Sequence, residues 1–256
     1  MTEERLGTRT LHEITRPMKS TKKYALVWCS EVPEMDYSEH FVEQFRRKGE
    51  HWDVLSPADP KFLERTNGYD GFIVSGSEKS VIDDGASPFV ANLLTFLRST
   101  FDESTIPVLG ICFGAQAMAV ALGGKVGRNP DRNFRLGVET LKWVEGIDAT
   151  RWPEACSPSA LIQSHGECVQ ELPANTTLLA GSKTIPHEIF LVGDRFLGIQ
   201  GHPEMDTQML SGLFMKLHRP LFNDVQWALV EQEIKQPVHP GAMLALGRRL
   251  LDAGQL

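Results

Sequence analysis

The sequence predicts an α/β fold: a doubly wound, mostly parallel sheet flanked by helices, with an antiparallel hairpin late in the chain. Three observations lead there. Short apolar runs at 24–29, 70–75 and 106–111 read as strands buried on both faces. Helical patterns alternate with strands, at 37–48, 88–98 and 115–122. Near the end, runs at 188–192 and 195–199 flank Gly193-Asp194, a hairpin turn.

The chain has 256 residues, 41% of them hydrophobic, enough to build a substantial core. Residues 1–22 are polar without periodicity and read as a disordered tail. They lack the apolar stretch of a signal peptide, and Glu3, Glu4 and Glu13 contradict a transit peptide. A net charge of −7 argues against nucleic acid or an anionic membrane as partner. No apolar run approaches the ~20 residues needed to cross a bilayer. Four cysteines are too few for a disulfide framework. A cytoplasmic chain is expected, its oligomeric state open.

Taken in order, 24–29 is the first strand, 37–48 a helix closed by Gly49, and 52–55 the second strand. The third strand, 70–75, ends in Ser75-Gly76-Ser77. A loop at 80–86 precedes the helix at 88–98, which opens on Pro88. Residues 123–133 are glycine-rich and basic but lack the order of a phosphate loop, so a turn into a β-hairpin is expected. A strand at 136–144 and a loop at 149–158 follow, and 176–182 reads as a further strand. Asp206 is placed to cap a helix reaching Leu217. The remaining segment, 218–256, reads as a helical extension on or beside the same domain, with Val225, Leu229 and Ile234, then Met243, Leu246 and Leu250, as its apolar positions.

The chemistry centres on Cys112, flanked as Gly110-Ile111-Cys112-Phe113-Gly114 where a strand passes into a helix. This is the thiol version of the elbow that forces a nucleophile into an exposed, strained turn. A core cysteine is the alternative there. A thiol nucleophile needs a base, and the base needs an orienting group. His202 and Glu204, in Gln200-Gly201-His202-Pro203-Glu204 at the end of a strand, supply both. His165 with Glu167 is the rival base; Glu204, fixed two residues from His202 across a proline, favours His202. Cys156, His165 and Cys168 match no zinc spacing, and neither metal nor cofactor is expected.

Taken together, Gly-Ile-Cys-Phe-Gly-Ala-Gln at 110–116, Gly-His-Pro-Glu at 201–204, Gly-Phe-Ile-Val-Ser-Gly-Ser at 71–77 and Gln-Ser-His-Gly-Glu-Cys-Val at 163–169 resemble class I glutamine amidotransferase domains over about residues 23–217. The wording at 49–53, 69–77 and 200–204 is most similar to the stand-alone γ-glutamyl peptidases of that superfamily.

The resemblance implies a flavodoxin-like fold and a Cys112–His202–Glu204 triad. It implies an oxyanion hole from the Phe113 N–H with that of Ser77 or Gly76, and glutamyl contacts from Gln116, Ser164, His165 and Gly166. Two positions depart from the pattern: Ser77 stands where the family has its second glycine, and Ala115 where most glutaminases have histidine. Ser77 therefore either carries a strained backbone or leaves the donor role to Gly76.

The implied reaction is cleavage of a γ-glutamyl amide, in glutamine-like or glutathione-type substrates, through a glutamyl thioester. No P-loop or synthetase region is visible, which favours a self-sufficient hydrolase acting on a small γ-glutamyl substrate. The alternatives are a glutaminase subunit delivering ammonia to a separate synthetase, and a non-catalytic binding or regulatory member of the fold.

Overall fold

The computed structural model describes residues 21–256, so most of the expected tail lies outside the described residues. In chain order the elements begin with β1 (Lys23–Val27), α1 (Ser38–Phe45), β2 (His51–Leu55), α2 (Phe62–Arg65), β3 (Gly71–Val74), α3 (Pro88–Glu103), β4 (Val108–Ile111) and α4 (Phe113–Ala121). They continue with β5 (Lys125–Arg128), β6 (Arg135–Thr140), β7 (Lys142–Trp143), β8 (Ala160–His165), β9 (Glu167–Glu171), β10 (Thr176–Gly181), β11 (Ile189–Val192) and β12 (Phe196–Ile199). After α5 (Thr207–Met209), a π-helical turn (Leu210–Phe214) leads into α6 (Met215–His218), and α7 (Asp224–Glu233) and α8 (Gly241–Ala253) close the chain.

The main sheet runs β2-β1-β3-β4-β12-β11-β10-β7. Strands β2, β1, β3, β4 and β12 are parallel, and β11, β10 and β7 add antiparallel ladders. Strands β3 and β4 are buried along their whole length, as the uninterrupted apolar runs require. One face is covered by α3 and α4 through Leu93, Phe96, Leu97 and Met118. The other is covered by α1 and α8 through Phe41, Phe45, Met243, Leu246 and Leu250. The Ser87 side chain accepts the Val90 N–H at the start of α3, where Pro88 sits at a position whose own N–H would be unpaired.

Several expectations are corrected. Helix α1 ends at Phe45 because the Glu50 carboxylate takes the Arg47 N–H at 2.9 Å and Arg248 Nη2 at 2.5 Å, drawing the chain off the helix axis; Gly49, at φ +88°, serves that turn rather than a helix end. The hairpin expected after 123–133 does not form. Strand β5 pairs with β9, and β6 with β8. Asn129 is the reason: its Nδ2 donates to the carbonyls of Asn133 and His165, tying the loop to the β8–β9 bend. The expected strand 136–144 breaks at Leu141, whose N–H turns to Ser159 O at 2.8 Å, and β7 crosses to the edge of the main sheet. On α7, Val225 and Leu229 are 77% and 58% exposed, and Val230 is the residue that packs inward.

Helix α8 is anchored by a buried cation. Arg248 bonds Phe45 O at 3.1 Å, both Glu50 oxygens and Asp252, and its guanidinium lies 5.1 Å from the Tyr24 ring centre. Replacing Arg248 by Met leaves the Glu50 carboxylate buried without its partner. Arg248→Met is expected to lower unfolding stability by about 3 kcal/mol, read as a lower urea midpoint at unchanged slope.

Candidate active site

Three strand ends meet at Cys112. Its N–H bonds Ile199 O at 2.8 Å, at the end of β12, and the following turn brings Gly114 N–H to Ser75 O at 3.1 Å, at the end of β3. Cys112 itself has φ +51° and ψ −109°, a conformation L-residues rarely hold. The flanking glycines are sterically required. A Cβ on Gly110 would lie 2.7 Å from Gly114 backbone atoms, and one on Gly114 would lie 2.3 Å from Val74 O. Helix α4 starts at the next residue, so the positive end of its dipole lies at the sulfur-bearing residue.

His202 follows β12 and is fixed by its N–H to Ile162 O at 2.8 Å. Its Nδ1 lies 2.8 Å from Glu204 Oε1, and its buried Nε2 has no hydrogen-bond partner among the described residues. Burial disfavours the imidazolium here, but the negative charges of Glu204 and Cys112 outweigh it and raise the His202 pKa to about 10. Gly76 sits against both groups. A Cβ there would stand 3.0 Å from His202 Cε1 and 3.7 Å from Cys112 Cβ. Gly76→Ala is therefore expected to push the imidazole aside and cut kcat/KM by about 10- to 100-fold, with little change in melting temperature.

Neither Gly76 nor Ser77 has a positive φ, so the serine is held without backbone strain. Its Oγ donates to Cys29 O at 2.5 Å and accepts the Lys79 N–H at 3.0 Å. The N–H groups of Gly76, Ser77 and Phe113 donate to no group among the described residues.

Residues Gln116, Ser164, His165 and Gly166 all line one cavity of about 320 Å3 with Cys112 and His202. Ser164 O is 3.9 Å from Cys112 Sγ. Gln116 is buried, and its Nε2 donates to Glu167 O at 2.8 Å and to Gln200 Oε1 at 3.3 Å. His165 is boxed in: Nδ1 lies 3.0 Å from Asn129 Oδ1 and Nε2 3.0 Å from Gln163 Oε1. Burial, with His202 and Arg135 nearby, pushes its pKa down to about 3, and neither ring nitrogen is open to a substrate. Glu167 does not orient it; that carboxylate bonds Ser80 and Arg128. Ala115 is buried in the core under the elbow. Cys156 is exposed and Cys168 buried, and no cluster of three His, Cys, Asp or Glu side chains that could hold a metal occurs among the described residues.

Two features were beyond sequence reading. Gln200 Nε2 lies 3.7 Å from Cys112 Sγ; its place before Gly201-His202 was the available signal. The other is an apolar wall of Trp28, Tyr37, Phe134, Phe214 and Leu217. It is contributed by separate elements, and no linear pattern marks it.

The family model for glutamine amidotransferase class-I matches residues 34–216. Gamma-glutamyl peptidase 3 of Arabidopsis thaliana is 33% identical over 180 residues, 68% of this chain and 71% of that protein. A glutamine-hydrolyzing GMP synthase of Yersinia pestis is 32% identical over 167 residues, 63% of this chain but 29% of the synthase. A solved glutamine amidotransferase from Thermotoga maritima superposes with a TM-score of 0.69 at 20% identity, covering 91% of this chain and 100% of that one, a likeness of fold. No helix among the described residues is long and apolar enough to cross a membrane. With the family model spanning most of the chain and a relative at this identity, the protein belongs to the class I glutamine amidotransferase family.

Proposed function

We propose that the protein is a cysteine-dependent γ-glutamyl hydrolase, with Cys112 as nucleophile, His202 as base and acid, and Glu204 as the group that orients His202. The observation that carries this is the elbow cysteine at φ +51° beside a buried imidazole whose Nε2 is unpartnered and whose Nδ1 is held by a carboxylate. The thiolate attacks the γ-carbonyl carbon, forming the C–S bond as the carbonyl π electrons move to oxygen. The N–H groups of Phe113 and of Gly76 or Ser77 receive that oxyanion. As the C–N bond breaks, Nε2–H gives its proton to the leaving amine. Water then attacks the thioester, His202 takes its proton, and the S–C bond breaks to release the carboxylic acid.

Two observations favour a leaving amine larger than ammonia. The cavity holds about 320 Å3, and its apolar wall offers nothing to an ammonium ion. The peptidase relatives match over most of their length, in keeping with a stand-alone enzyme. A second reading, ammonia delivery to a separate synthetase, is supported by the match to a stretch of GMP synthase that leaves most of that protein uncovered.

The test is hydrolysis of glutamine against γ-glutamyl dipeptides and glutathione conjugates, with Cys112→Ala as control. Faster dipeptide or conjugate cleavage supports the hydrolase. Dominant ammonia release supports the synthetase partner, and absence of Cys112-dependent turnover leaves a binding protein.

A further inference from the structure

Strand β12 runs apolar from Phe196 to Ile199, and the next residue, Gln200, is polar yet fully buried. An amide in such a place needs partners for both of its ends. Its backbone is held first: Gln200 N–H donates to Glu188 O at 2.8 Å. One residue back, Ile199 stands in register with Ile111 and accepts the Cys112 N–H. The side chain is thereby set beside the elbow. Its amide is the last link of a chain with a fixed direction. Glu167 O is a backbone carbonyl and can only accept, so Gln116 must turn its Nε2 to that side, where it donates at 2.8 Å. The same Nε2 donates to Gln200 Oε1 at 3.3 Å. Turning the Gln200 amide over would set two NH2 groups against each other. Gln200 Nε2 therefore faces Cys112 Sγ, 3.7 Å away, and donates to no other described residue. A neutral thiol is a weak acceptor that leaves a buried N–H nearly unsatisfied, whereas an anionic sulfur satisfies it.

We propose that Gln200 is a catalytic residue: its amide holds the negative charge on the Cys112 sulfur, in an orientation set by Gln116. It acts at two moments. The sulfur is anionic before attack, with its proton on His202, and again when the S–C bonding pair returns to it as water displaces the thioester. Between them the sulfur is neutral and the hydrogen bond weakens. This role rests on Cys112 as the nucleophile of the reading above, not on which amide it cleaves. The competing account makes Gln200 a filler that ties β12 to α4, for which shape alone matters.

Two replacements separate the accounts. Gln200→Met keeps the bulk without a donor, and Gln200→Glu keeps the shape but turns a carboxylate oxygen to the sulfur. Two readouts in mildly alkaline buffer need no substrate. One is the ultraviolet absorbance of the thiolate, taken as the difference from the matching Cys112→Ala protein. The other is iodoacetamide alkylation of Cys112, followed by peptide mass spectrometry with exposed Cys156 as internal reference. Gln200→Met is expected to slow alkylation of Cys112 about 10-fold and to lower the thiolate absorbance with it. Gln200→Glu lowers both at least as far, while Cys156 reacts at the same rate throughout. Towards a γ-glutamyl dipeptide, kcat/KM falls by about 10- to 100-fold in either variant. If Gln200→Met matches wild type in alkylation or in kcat/KM, or if Gln200→Glu keeps more thiolate than Gln200→Met, the side chain is filler and the catalytic role is overturned. Where neither variant folds, wild type decides. One Gln200 side-chain N–H resonance is expected to move downfield in step with the thiolate absorbance as pH rises, and an unmoved resonance overturns the role. If the thiolate series comes out as expected while no γ-glutamyl compound is turned over, the hydrolase reading fails and the contact of Gln200 with the sulfur stands.

Discussion

Cys112→Ala is expected to lower kcat by about 10^4-fold or more while leaving binding of a γ-glutamyl compound measurable, because the thioester has no other sulfur to form on. The residual rate comes from whatever the oxyanion donors and binding supply. The same position offers an unusual second measurement. Cys112 holds φ +51°, a cost a Cβ-bearing residue bears and glycine does not. Cys112→Gly should be equally inactive yet about 1 kcal/mol more stable than wild type, seen as a higher melting temperature. A Cys112→Gly protein that melts lower would show the turn is not strained; one that still turns over substrate would remove Cys112 from the reaction.

Glu204→Gln keeps the shape beside His202 Nδ1 and removes the charge. The loss expected is about 10^2- to 10^4-fold in kcat, through an imidazole no longer held in one tautomer or stabilised when protonated. The pH profile gives a readout that simple distortion would not. Burial alone would lower the His202 pKa, and the charges of Glu204 and Cys112 bring it to about 10. Taking away one of those charges lets burial count for more, so the imidazolium loses its proton at lower pH. The alkaline limb of kcat/KM is therefore expected to move down by about one unit or more, with the acid limb moved less. An unchanged alkaline limb would mean that Glu204 is not the charge His202 feels.

How much of this was legible in the sequence depends on the range over which the information is written. Strands β3 and β4 are buried on both faces, and such strands appear as continuous apolar runs that local reading finds. The elbow is written as a short local pattern even though only one of its glycines is locally imposed: Gly110 is required by the Gly114 backbone, whereas Gly114 is required by Val74 O on the neighbouring strand β3. Pairing partners are a different matter. Nothing in 123–133 states that Asn129 will bind the carbonyl of His165, and that bond directs β5 to β9. Helix α7 misled for the opposite reason: Val225 and Leu229 have helical spacing, but the side that meets β6 and β8 is the one bearing Val230. The roles of Gln200 and of Trp28, Tyr37 and Phe214 depend on which strand ends and helices converge, which no single segment encodes.

The π-helical turn at Leu210–Phe214 follows Glu204 in the chain and itself carries Phe214 of the apolar wall. Such a turn holds one residue more than an α-helical one, and each residue advances a helix by about 100°. Phe214, Leu217 and His218 therefore face the cavity by virtue of a single supernumerary residue. A one-residue deletion there is expected to swing Phe214 and Leu217 out of the cavity while Trp28, Tyr37 and Phe134, which come from other elements, stay in it. The shape of this side of the cavity is thus set by helix phase as well as by side-chain identity, so an indel in the turn would reshape it where a point substitution would only resize it.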